Sequence, residues 1–114
     1  MSWGEVELES EVDEWFDTLD QEDRETAAFH VDLLAERGVL LGEPYTRQLR
    51  GKLRDLRLHL HREVVRITCW VAPCRRIILL TAFHEQRMHE SAEIERAWRA
   101  MQRCIVEAHT ADEE

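Results

Sequence analysis

Between Leu56 and Val71 the chain alternates. Leu56, Leu58 and Leu60 are interleaved with Arg57, His59 and His61; after Arg62-Glu63, Val65, Ile67, Cys69 and Val71 are interleaved with Arg66, Thr68 and Trp70. A period of two marks strands with one buried and one polar face. Arg62-Glu63 then reads as a short turn and Pro73-Cys74 as a second. Ile77 to Phe83 is apolar on both phases, the pattern of a central strand covered on one side and lining a pocket on the other. Leu53 falls on the polar phase of the first strand, which predicts a bulge or bend near Asp55.

The flanks have a different period. Val12, Trp15, Phe16 and Leu19 recur at helical spacing behind Ser10, a predicted N-cap. Asp20 ends that helix and caps a second one, with Glu22 and Asp23 in its first turn, Ala27, Val31 and Leu34 along its stripe, and Gly38 at its end. Trp3 to Leu8 alternates over a length that fits a short edge strand. At the other end Ser91 caps a helix with Ile94, Ala97, Trp98, Met101, Ile105 and Ala108 on one face. The expected fold is α+β: an N-terminal helical hairpin, a three- to four-stranded antiparallel sheet and a C-terminal amphipathic helix, with the helices on one sheet face.

Length and charge sharpen this picture. A chain of 114 residues suffices for one domain around one core. No apolar run reaches the roughly 20 residues of a membrane span, and the first residues lack the basic start and apolar core of a signal peptide, so a cytoplasmic location is expected. Three cysteines with no CxxC pair, Cys69, Cys74 and Cys104, read as reduced thiols that behave as buried small apolar residues. The formal charge is −9. It hides an asymmetry: residues 1–46 carry 14 acids and 2 bases, whereas residues 47–89 carry 10 bases and 3 acids. Local potential governs what an anion meets, so the middle segment is the expected anion site.

Arg57 and Arg66 should lie on neighbouring strands on one polar face, where two guanidiniums can grip a phosphate. A solvated polar face is the plainer reading of the same alternation. Arg50, Lys52 and Arg54 extend the positive strip toward non-specific phosphate contact or an acidic partner. His59 and His61 have the spacing of a metal half-site, but no third ligand is legible; an imidazole beside arginines suits proton transfer better. Trp70, on the arginine phase, offers a stacking surface for a base. His84, Glu85 and Arg87 follow the central strand at the rim of any pocket. Neither a metal nor a cofactor is expected.

Pro44, Leu49, Gly51, Leu53, Asp55-Leu56-Arg57, Arg66-Ile67, the Ile77–Leu80 run, Phe83 and the closing helix resemble the RelE/ParE superfamily of bacterial toxins, in its HigB-like branch. The resemblance implies a single toxin domain over residues 1–111 with an acidic tail at 112–114. It also implies a metal-independent endoribonuclease that cuts messenger RNA on the ribosome. A cognate antitoxin, of helix-turn-helix type, would restrain it in a hetero-oligomer. Carried over to this sequence, Arg57 and Arg66 would stabilise the phosphate, Arg87 would supply the basic position after the last strand, and His84, or else His59 or Glu85, would move the proton. The family's usual basic cluster after the Phe of the last strand is here His84-Glu85-Gln86, and Lys52 is the chain's single lysine. A non-catalytic antitoxin-binding homologue and a ParE-like gyrase inhibitor are the competing readings.

Overall fold

The computed structural model describes residues 2–42, 44–85 and 89–113, the side chains of 39 and 108–113 excepted. Strand β1 (Glu5–Leu8) is followed by helices α1 (Ser10–Asp17) and α2 (Gln21–Arg37), strands β2 (Thr46–Arg50), β3 (Leu53–His59), β4 (Val64–Ala72) and β5 (Arg76–His84), and helix α3 (Glu90–Glu113). The sheet has five strands in the order β1-β5-β4-β3-β2. β2 to β5 form an antiparallel meander, and β1 adds to β5 in parallel, Val6 opposite Ile77. The α+β class, the helical hairpin and the closing helix are as expected, and the edge strand at Trp3–Leu8 forms over Glu5–Leu8.

The local signals explain the boundaries. The Asp20 carboxylate accepts from the Asp23 backbone N–H at 2.8 Å, capping α2. Gly38, at φ +53°, ends that helix beneath the Trp3 ring, against which a Cβ would collide. The cap of α1 is Glu9 rather than Ser10, and α3 begins at Glu90, one residue before Ser91. At the Pro73–Arg75 turn, Cys74 and Arg75 both adopt positive φ.

The helices do not share one sheet face. α1 and α2 bury Val12, Ala27 and Leu34 against Leu56, Leu58, Val65, Ile67, Ile77 and Leu79. α3 lies on the opposite face, where Ala97 and Met101 pack on Leu53, Trp70, Ile78 and Leu80. This corrects two expectations. Leu53 is apolar on the polar phase because α3 covers that end of the sheet, and β3 pairs with β4 without a register shift from Arg54 to His59. The irregularities lie elsewhere, between Gln48 and Arg50 in β2 and opposite Thr68/Cys69 in β5. At the latter, the Thr68 hydroxyl accepts from the Thr81 N–H at 3.1 Å, satisfying a backbone donor inside the sheet.

α3 covers only half of its face. Beyond Trp70 and Leu80, the same face continues as Asp55, Arg57 and His59 on β3 and Arg66 and Thr68 on β4, with Phe83 opposite Arg66 on β5. Of these residues only Arg57 and His59 reach solvent; Asp55, Arg66, Thr68 and Phe83 are buried, so the polar phase is largely an interior one.

Candidate phosphate-binding face

Arg57 and Arg66 are directly opposed in the β3–β4 register. Arg57 is partly exposed, whereas the Arg66 side chain is only 2% exposed. Burial works against the Arg66 charge, but hydrogen bonds to Glu90 and Asp55 outweigh it and raise its pKa above the usual guanidinium value. Its Nε donates to the buried Asp55 and its Nη1 to Glu90, at the first turn of α3. Nη2 has no hydrogen-bond partner among the described residues. The Arg66 Cζ lies 5.3 Å from the centroid of the Phe83 ring, so the cation also rests on an aromatic face.

Arg47, opposite Asp55 across β2 and β3, joins this group, with its Nη2 3.1 Å from Glu90 Oε1. Hydrogen bonding to Arg66, assisted by the charges of Arg66 and Arg47, holds the Glu90 carboxyl below its ordinary range against the opposing effect of desolvation. Arg57 Nη2 is 2.6 Å from Glu85 Oε1. A cleft of about 240 Å³ opens beside them, lined by Pro44, Tyr45, Thr46, Arg47, Asp55 and Arg57. Two guanidiniums, Arg47 and Arg57, therefore line one opening, each already facing a carboxylate, while Arg66 is buried outside its lining.

The other candidates disperse. His59 shares the arginine face, two residues past Arg57, and is exposed. His84 is opposite Val65, a residue of the α1–α2 core, so its register points it to the other face; its Nδ1 sits 2.6 Å from Glu63. Arg54 also takes that other face and donates to the Thr46 hydroxyl at 3.2 Å. Arg50 lies with its Cζ 4.4 Å from the Trp98 ring centroid and pairs with Glu95, at the α3 end of the sheet. Lys52 is exposed in the β2–β3 turn. Trp70 corrects an expectation: it occupies the arginine phase but is buried under α3, so no base can stack on it. Arg87 lies outside the described residues. Among the described residues no three His, Cys, Asp or Glu side chains gather as a metal site.

Sequence reasoning passed over Arg47, Asp55 and Glu90. The signal for Asp55 was present, since it shares a phase with Arg57. Arg47 was hidden because β2 does not stand out by alternation, and Glu90 because its partners are 24 and 43 residues away.

Residues 14–103 match the family model described as Phage derived protein Gp49-like (DUF891). The chain belongs to that family. Its fold is similar to that of an arginine-to-alanine double mutant of the E. coli toxin RelE in the free state, with a TM-score of 0.58 at 15% identity, over 90% of this chain and 98% of that one. None of the curated proteins matches the sequence. The Gp49-like chain thus has a RelE-like fold, as its residues suggested. None of its described helices is long and apolar enough to cross a membrane.

Proposed function

We propose that this Gp49-like protein is the toxin of a toxin–antitoxin pair, on the HigB-like side of the superfamily, and that it cleaves messenger RNA in the cytoplasm on the ribosome. The observation that carries the reading is the pair of guanidiniums at the cleft, Arg57 and Arg47, with the buried Arg66 opposite Arg57 in the strand register. Attack of a ribose 2′-hydroxyl on the adjacent phosphate builds negative charge on the phosphorus oxygens, and it needs a base and an acid but no metal. Arg57 and Arg47, at the mouth of the cleft, are positioned to contact the phosphate. Arg66 supplies a fixed charge behind them. Proton transfer is assigned to His59, which shares this face; His84 is turned away from it. Lys52 extends the surface for the RNA backbone. The partner would be a small antitoxin of helix-turn-helix type that covers the arginine face in a hetero-oligomer.

The test is induction of the protein in cells followed by mapping of messenger RNA 5′ ends. Codon-associated cuts should appear with the wild-type chain and vanish with Arg57→Ala; intact messages under growth arrest would sink the proposal. One observation favours a second reading, a non-catalytic antitoxin-binding homologue: Glu85 and Glu90 already neutralise the arginines. That homologue would bind antitoxin yet leave messages whole. Gyrase-linked DNA damage with whole messages would instead indicate ParE-like action.

A further inference from the structure

Apart from Asp55 on β3, the carboxylates that pair with these arginines come from the two sides of the β5–α3 junction. Glu85 directly follows β5 and takes Arg57; Glu90 opens α3 and takes both Arg47 and Arg66. These pairings use the guanidinium donors that would otherwise face a phosphate. A carboxylate and a phosphate offer a guanidinium the same pair of acceptor oxygens, so they compete for the same donors. Among the described residues, the acids that reach the three arginines from outside the sheet are these two glutamates.

We propose that Glu85 and Glu90 are built-in counter-anions that occupy the phosphate positions of the arginine face and set its affinity for an RNA backbone. The inference rests on the RNA reading above. Three features separate the Glu90 pairing from an ordinary surface pair. Glu90 bridges two arginines from different strands, β2 and β4. Arg66 keeps a second acid, Asp55, so its charge stays paired on the inside when Glu90 is lost and the fold does not depend on Glu90 alone. Arg66 Nη2 is buried and has no hydrogen-bond partner among the described residues, which leaves one donor of this guanidinium unused. A phosphate taking the place of that carboxylate would meet donors from Arg47 and Arg66 together, and one replacing Glu85 would meet Arg57. Affinity is therefore the difference between two anions on one set of cations, and it is low while the internal anion holds.

The experiment is titration of a short fluorescein-labelled RNA, 2′-O-methylated so that it cannot be cut, read by fluorescence anisotropy at two salt concentrations. Wild type, Glu85→Gln, Glu90→Gln, the double variant and Arg57→Ala are compared, with thermal melts to establish that each is folded. The double variant should bind at least about tenfold more tightly than wild type. Its log affinity should fall more steeply with log salt, by about 0.7 for each additional phosphate neutralised. A folded double variant that binds no more tightly than wild type overturns the proposal. Glu85→Gln, whose partner is exposed, keeps the test open should the Glu90 changes unfold the protein. If the glutamate variants bind no better while Arg57→Ala weakens binding, only the counter-anion role fails. If Arg57→Ala leaves binding unchanged, the RNA reading fails as well.

Discussion

Arg57 and Arg66 face one another across adjacent strands in the same register, yet one is open to solvent and the other is sealed from it. The difference follows from their neighbours. Arg66 sits on β4 in the middle of the sheet, between Asp55, Phe83 and the start of α3, while Arg57 stands beside the cleft toward the β2 edge. Replacing these two residues should have different consequences.

Arg57→Ala should abolish growth arrest and messenger RNA cleavage while leaving stability nearly unchanged. Its pair with Glu85 is partly exposed, and such pairs contribute about 0–1 kcal/mol. Urea unfolding of the variant beside wild type checks the second half of the statement.

Asp55→Ala should unfold the protein far more readily. It leaves the buried Arg66 charge without its inner partner, a loss of about 3–5 kcal/mol in comparable sites. Chemical denaturation should show a large drop in midpoint, and a variant as stable as wild type would contradict the buried pair.

Trp70→Ala should behave as a core deletion and not as the loss of an RNA contact. Packed under α3 against Ala97 and Met101, the indole should cost about 3–5 kcal/mol when removed. At a temperature where the variant is still folded, RNA affinity should be unchanged.

His59→Ala should remove cleavage and keep RNA binding, whereas His84→Ala should affect neither. The two readouts, cleavage of a ribosome-bound message and anisotropy with uncleavable RNA, separate the roles. Loss of cleavage in His84→Ala alone would reverse the assignment.

Acid should weaken the attachment of α3 to the sheet. Hydrogen bonding to Arg66 holds Glu90 below its ordinary range, so this group's contribution to stability is complete above the ordinary glutamate value. It is lost as pH falls through the depressed one. Glu90→Gln should flatten that part of the stability–pH curve, measured by thermal melts across the acid range.

The sequence carried most of the fold because each element announced itself locally. The alternation of Leu56 to Val71 defined two strands and their faces, and Asp20 and Gly38 bounded α2. Placement of α3 on the second sheet face was not legible, since an amphipathic stripe says that a helix is covered and not by which side of a sheet. That one gap produced two of the errors, the bend assigned to Leu53 and the exposure assigned to Trp70. The site was half legible for a related reason. Phase along a strand put Arg57 and Arg66 together and equally held Asp55, but Glu90 and Arg47 reach the cluster through pairings between distant segments. His84 was misplaced because nearness to the end of β5 was weighed above the parity of its position.

The parallel seam between β1 and β5 joins the first strand of the chain to the last, some seventy residues later. During synthesis the nascent polypeptide emerges with its leading strand unpaired, and that strand stays so until the final strand has cleared the exit. That edge of the sheet is thus completed late, and the long stretch of chain between the two strands makes the pairing slow.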